Sequence, residues 1–286
     1  MKLDQELIET NGIRLNVASA GKGPPVVLLH GFPDTHAVWR KQIPALVNAG
    51  YRVIASDLRG YGASDAPEGV DAYAINILRD DVIGLLDALG IERAYLVGHD
   101  WGSLIGWHVS MHAPQRIERF AALSVGHPDA YAKAGVGQML KAWYAALFQL
   151  PGIAEALVSA GDLLALKAQA VDEEQLAEWR ANFAREGRLS AALNYYRANR
   201  HLVLPADHPK VTVPVLGVWS EGDPALTETQ MRDSAAYFDP TVVDASFTYE
   251  RLDGGVGHWL QLKEPRAVNK LLIDFGSAVS TRAGTA

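Results

Sequence analysis

The sequence predicts an α/β fold: a mostly parallel sheet flanked by helices, with an all-helical segment inserted into it. Three observations predict it. Strand-like and helix-like stretches alternate along most of the chain, the pattern of parallel strands joined by crossover helices. Several strand candidates are unbroken apolar runs, such as Pro25-Val26-Val27-Leu28-Leu29, as expected where a strand is covered on both faces. From about Pro128 to Lys210 the alternation stops, and only Ala- and Leu-rich helical stretches occur.

The elements follow in order. Glu6–Thr10 and Ile13–Ser19 alternate around Asn11-Gly12, a strong hairpin signal. After the apolar run at 25–29 come a helical stretch (37–49), a second buried strand (Tyr51–Ala55), and an amphipathic helix (Ile75–Leu89) closed by Gly90. Arg93–Val97 reads as a short buried strand leading into a helix from Ser103 to Ala113, and Phe120–Val125 as another strand. The inserted segment reads as four helices: Tyr131–Leu150, Ile153–Ala170, Asp172–Glu186 and Leu189–Asn199. Strand character returns at Val211–Ser220, then a helix (Thr227–Tyr237), a strand (Phe247–Leu252), a last helix (Pro265–Phe275) and a loose tail from Gly276. The division expected is a core of residues 1–127 and 211–286 with a helical cap of 128–210 over the C-terminal edge of the sheet. That edge is where ligands bind in open α/β sheets.

Composition narrows the function classes. At 286 residues the chain can bury a sizeable core, and a net charge of −7 without any lysine/arginine cluster argues against nucleic-acid binding. There is no cysteine, so disulfides, Cys-zinc sites and thiol catalysis are excluded. The acidic N-terminus does not read as a signal peptide, and no apolar run approaches the ~18–20 residues of a membrane span. A soluble, cytoplasmic protein with no membrane partner, acting as a monomer or homodimer, is the expectation. No phosphate-binding loop, His-Glu-x-x-His or Gly-x-Gly-x-x-Gly after a strand occurs, so neither an organic cofactor nor a metal is expected.

The most informative stretch is Val97-Gly98-His99-Asp100-Trp101-Gly102. Small flanking residues permit a sharp strand-to-helix turn that holds one side chain proud of the sheet. A carboxylate there can attack carbon and form an alkyl ester. Asp is equally at home as a helix N-cap, and the pentapeptide alone does not choose. Three further elements fall at strand ends on the same edge. His30-Gly31-Phe32-Pro33 could aim the Phe32 amide at the elbow, to pair with the Trp101 amide as an oxyanion hole. Trp219–Pro224 carries Asp223, an acid able to orient a histidine, with Glu221 competing and Asp129 a weaker candidate. Gly254-Gly255-Val256-Gly257 leads to His258, which among nine histidines stands in a Gly-rich loop after both acids. His30 and His99 read as packing residues near the site. His36, His108, His112, His201 and His208 read as surface or helix residues. The chain order nucleophile, acid, histidine, each at a strand end, favours a catalytic triad over four unrelated turns.

With these motifs the chain resembles the epoxide hydrolases of the α/β-hydrolase fold, from the first hairpin to the last helix. The resemblance rests on His30–Asp34, Asp57–Asp65, Gly98–Gly102, Glu221–Leu226 and Gly257–Pro265. Trp143–Glu155 and Leu193–Arg197 resemble the segments carrying that family's two ring-opening tyrosines, which fall on Tyr144 and Tyr196. Tyr195 stands where the family often has tryptophan, and an extra residue in 254–257 could shift His258 slightly. The resemblance implies an epoxide substrate opened to a diol by Asp100, His258 and Asp223, with water as co-substrate. Phe32, Trp101, Trp143 and Phe148 would contact substrate, and Leu150, Trp179 and Phe183 are further pocket candidates. A haloalkane or haloacetate dehalogenase is the nearest rival, because it too uses an elbow aspartate and Trp101 could bind halide. Phe32, where many haloalkane enzymes carry asparagine, and the tyrosine pair speak against it.

Overall fold

The computed structural model describes residues 3–278; most of the C-terminal tail lies outside them. Among the described residues eight strands form one sheet in the order β1-β2-β4-β3-β5-β6-β7-β8. β1 (Asp4–Thr10) and β2 (Ile13–Ala20) are the expected antiparallel hairpin. Asn11 and Gly12 both take positive φ (44° and 75°), the backbone a two-residue hairpin turn requires. β2 pairs antiparallel with β4 (Arg52–Ser56), and from there β3 (Pro25–Leu29), β5 (Ala94–His99), β6 (Ile117–Leu123), β7 (Val215–Ser220) and β8 (Phe247–Leu252) run parallel. β5 and β7 are buried along their whole length, whereas β8, at the edge, has no fully buried residue.

Helices α1 (Gln42–Asn48), α2 (Ile75–Ala88) and α3 (Trp101–His112) link successive parallel strands. The chain steps outward from β3 to β4 and then back across β3 to β5. Both crossovers being right-handed, α1 and α2 must lie on opposite faces, and the loops after β3 and β5 diverge. That divergence opens a crevice at the carboxyl ends of the strands. Phe32 and Asp100 border it.

Between β6 and β7 the structure is helical: α4 (Pro128–Ala132), α5 (Val136–Lys141), α6 (Trp143–Leu147), α7 (Ile153–Lys167), α8 (Glu173–Phe183) and α9 (Arg188–Ala198). The single long helix expected over Tyr131–Leu150 is three short ones. Gly135 takes a positive φ of 82° after α4, and Ala142 leaves helical geometry between α5 and α6. The Ala- and Leu-rich composition reads as continuous helix because neither break involves proline. α7 also breaks, at Ala160–Leu163, where Gly161, Asp162 and Leu163 adopt left-handed backbone. After β7 follow α10 (Glu228–Arg232), α11 (Leu260–Lys263) and α12 (Pro265–Ser277); α10 is the first half of the helix expected to Tyr237, continued as a 3-10 turn. No helix among the described residues is long and apolar enough to cross a membrane.

Buried polar bonds fasten the insertion to the sheet. Asp34, 2% exposed, accepts from Gln175 Nε2 (3.0 Å) and Trp179 Nε1 (2.7 Å) on α8, and from Trp259 Nε1 (2.8 Å) beside His258. Asn199 receives the Ile75 amide at 2.8 Å and donates to Tyr73 O at 2.9 Å. Asn182 receives the Gly62 amide at 2.8 Å, and the Tyr195 hydroxyl donates to Arg59 O at 2.7 Å. Asp34→Ala leaves three buried N–H groups unpaired and is expected to destabilise the fold by about 3 kcal/mol, because each orphaned donor loses its desolvation compensation. Denaturant unfolding monitored by tryptophan fluorescence checks it; an unchanged midpoint would contradict the bolt.

Candidate active site

The elbow is built by steric necessity. Asp100 sits at φ 52°, ψ −120°, a conformation that costs an L-residue energy and needs support from its surroundings. A Cβ on Gly98 would fall 2.3 Å from Gly102 O, and one on Gly102 would fall 2.0 Å from Leu29 O. Only glycines at both places let the strand turn so tightly into α3.

Asp100 occupies the N-cap position of α3, but its side chain makes no side-chain capping bond there. Its Oδ1 instead accepts the Phe32 amide at 2.8 Å, and the carboxylate also takes the Trp101 amide. Gly31 allows this approach, since a Cβ there would lie 2.3 Å from Oδ1. The Oδ2 atom faces His258, whose Nε2 is 3.7 Å away. Burial pushes the Asp100 carboxyl above its ordinary pKa, against the pull of His258 and the two amides.

His258 Nδ1 lies 2.9 Å from Asp223 Oδ2. Asp223 is 1% exposed, and its Oδ1 takes the Ala225 and Leu226 amides at 2.8 and 3.0 Å, so the carboxylate is held from both sides. The extra residue in 254–257 is absorbed within the loop, where Gly254, Gly255 and Gly257 all take positive φ, and it does not pull His258 away. The His258 carbonyl receives the Ser124 hydroxyl (3.1 Å) and His99 Nε2 (3.0 Å). Because a carbonyl can only accept, His99 carries its proton on Nε2. Burial alone would lower the His258 pKa. The charges of Asp223, Asp100 and Asp34 overcome it and raise the value to about 9.

Tyr144 on α6 and Tyr196 on α9 stand on the opposite side of the crevice, their rings 6.0 Å apart and nearly perpendicular. The Trp101 ring meets the Tyr196 ring edge-on at 5.1 Å. Burial pushes both phenols well above their ordinary pKa and the Asp100 charge adds to it, so both remain protonated at neutral pH. Two cavities of about 360 and 270 Å³ meet here: Asp100, Tyr144 and Tyr196 line both. The lining is chiefly apolar, with Leu104 and Met139 in the larger lobe and Phe32, Phe148 and Leu166 in the smaller.

Several expectations need correction. Trp143 does line the smaller cavity, though it is 67% exposed. Leu150 is exposed on the outside of the insertion and lines neither cavity. Trp179 is fully buried with its N–H spent on Asp34, and Phe183 packs against the Phe32 ring at 6.1 Å behind the pocket wall. Asp129 cannot orient His258, because its carboxylate holds the Ala206 and His208 amides. Glu221 is exposed and binds the Gly254 amide. Of the histidines read as surface or helix residues, His108 is a helix residue, buried in α3, while His36 is largely buried against Asp57 (2.7 Å). Two pocket residues escaped the sequence reading. Tyr131 lines the larger cavity close enough to feel the Asp100 charge, and Lys141 in the smaller donates to Asp223 O. Neither stands in a motif; only the fold of the insertion brings them near.

Comparison with known proteins places the chain in a family. The family described as alpha/beta hydrolase fold matches residues 24–265. Epoxide hydrolase A of Mycobacterium tuberculosis is 35% identical, covering 97% of this chain and 98% of that protein. Among solved structures, epoxide hydrolase A from Mycobacterium thermoresistibile superposes with TM-score 0.80 at 33% identity, over 97% of this chain and 99% of that one. The epoxide hydrolase VrEH1 from Vigna radiata gives TM-score 0.82 at 29% identity, over 96% and 98%. With a nearly full-length match to both, the chain belongs to the epoxide hydrolases of the alpha/beta hydrolase fold.

Proposed function

We propose that the protein hydrolyses epoxides to vicinal diols through a covalent ester on Asp100. The observation that carries this reading is the opposition of two protonated phenols, Tyr144 and Tyr196, to a carboxylate already held by two amides, with Phe32 on Oδ1. Oδ2 attacks a ring carbon, the C–O bond breaks, and the ring oxygen takes a proton from a phenol as its charge develops. Oδ1 becomes the ester carbonyl without leaving the Phe32 amide, with the Trp101 amide beside it. His258 then removes a proton from water, which adds to the ester carbon, and the tetrahedral oxyanion stays in the same amides. Collapse breaks the bond between Cγ and Oδ2; the departing diol oxygen takes the proton from His258, and the phenol is reprotonated from solvent. One diol oxygen therefore comes from Asp100 and the carboxylate regains its oxygen from water. The substrate class is a small to medium apolar epoxide that can extend into both lobes, acted on with water alone.

The dehalogenase alternative uses the same attack but needs an indole free to hold halide. Here the Trp101 ring is packed edge-on against Tyr195 and Tyr196, at 5.4 and 5.1 Å. Incubation with styrene oxide and, separately, 1-bromobutane tests the choice: diol from the first and no bromide from the second is the expected result.

The order of events has an electrostatic basis. In the free protein His258, with a pKa of about 9, is protonated at neutral pH, and part of that shift comes from the Asp100 charge. Esterification removes this charge, so the imidazole loses its proton more readily when a base is needed. Ester hydrolysis is expected to speed up with rising pH through a midpoint below the one His258 shows in the free protein. Rapid-quench single turnovers and NMR titration of the imidazole measure the two; coincident midpoints would contradict the coupling. The same raised pKa stabilises the fold fully below the unfolded value near 6.5, and this contribution is lost as pH rises through about 9.

A further inference from the structure

We propose that His108, His112 and His208 form a binding site for one divalent transition-metal ion of the zinc type, which braces α3 against the segment returning from the helical insertion. His108 and His112 are four residues apart on α3, so both project from one face, and their rings stack at 5.8 Å. His208 approaches edge-on to both, at 5.0 and 6.1 Å. One ring nitrogen from each lies within 4.8 Å of the others, and among the described residues this is the one grouping of its kind.

A second observation points to a ligand. His108 is 4% exposed, and its Nε2 is buried with no hydrogen-bond partner. A buried polar nitrogen left unpaired is unfavourable, and native folds rarely tolerate one without a reason. A metal ion would supply the missing partner.

The third ligand is held in place as well. Asp129 takes the Ala206 and His208 amides at 2.8 and 3.1 Å, which pins the His208 backbone over the end of α3. An imidazole-only donor set suits zinc, cobalt, nickel or copper and not calcium or magnesium, which want oxygen. Burial and the neighbouring histidines lower the His108 and His112 pKa, so both are neutral, the form that binds metal. The charge of Arg79 reaches both rings, but its guanidinium is paired with Asp80 at 2.7 Å. Zinc–nitrogen bonds of about 2.0–2.1 Å in a tetrahedron place ligand nitrogens roughly 3.3 Å apart, so the site must tighten around the ion. His112 is exposed and His208 half-buried, which leaves both free to close on the buried His108. Three protein ligands leave the fourth position to water.

The brace has a place in the architecture. α3 starts at Trp101, directly after Asp100, and His208 lies where the chain leaves the insertion for β7. An ion there would tie the nucleophile's helix to the root of the insertion. The test uses the full chain stripped with chelator and titrated with zinc alone, followed by calorimetry and thermal unfolding, and with cobalt alone, followed by visible absorption. One saturable equivalent, a raised Tm and cobalt bands of tetrahedral intensity are expected. His112→Ala and His208→Ala should each weaken binding by about tenfold or more, since a lost ligand costs at least as much as a lost outer partner. Both should unfold like the parent without metal, which excludes misfolding as the cause, and His201→Ala, an exposed histidine elsewhere, should bind like the parent. Absence of a saturable equivalent, or binding that ignores both substitutions, overturns the proposal.

Discussion

His258→Gln is expected to stop turnover by a factor of about 10³ or more while leaving the first chemical step largely intact. Glutamine fills a similar volume but cannot take a proton from water. Asp100 Oδ2 remains able to attack, because the Phe32 and Trp101 amides still hold the carboxylate when the pull of His258 is lost. The ester therefore accumulates. Intact-protein mass spectrometry after exposure to styrene oxide should show one added epoxide mass, and peptide mapping should place it on Asp100. A folded variant that consumes no epoxide and carries no adduct would refute the covalent route. Asp223→Asn should act in the same direction through His258: it removes the carboxylate 2.9 Å from Nδ1, one of the charges that raise the imidazole pKa to about 9.

Replacing both Tyr144 and Tyr196 by phenylalanine should slow ring opening about 10³-fold, whereas either single change should cost much less, because one phenol remains to meet the developing alkoxide. Phenylalanine preserves the edge-on packing of these rings against each other and against Phe148. The loss should thus appear in the rate of alkylation and not in the unfolding midpoint. Combining the pair with His258→Gln isolates the step: the adduct that forms quickly in His258→Gln should form slowly in the triple variant. Equal rates would assign proton donation to another group, and Tyr131, which also lines the larger cavity, would be the first to examine.

Much of this site is legible in one dimension because its parts lie at strand ends. Asp100 follows β5, Asp223 follows β7 and His258 follows β8, and in a parallel sheet every such end faces the same edge. Local steric demands are equally legible: Gly98, Gly102 and Gly31 stand where any Cβ would strike backbone or the Asp100 carboxylate. Residues that act by filling space across the fold are not. Trp179 and Phe183 looked like pocket walls, yet one serves Asp34 and the other backs Phe32. The helical insertion hides most, since its breaks at Ala142 and Ala160–Leu163 lack proline and its short helices turn on single backbone angles.

The sequence alone determined the alternation of strand and helix, the place of the insertion, and the identity and order of Asp100, Asp223 and His258. Periodicity, apolar runs and turn glycines are local properties, so they survive in a linear reading. Only the tertiary structure decided what the Asp100 side chain does at the head of α3, and it did so by placing the Phe32 amide, 68 residues away in the chain, at 2.8 Å from Oδ1. It likewise decided that Asp34 bolts the insertion and that His108 is buried beside His208. These outcomes depend on contacts between segments far apart in the chain, which packing of the whole fold creates and no local pattern encodes.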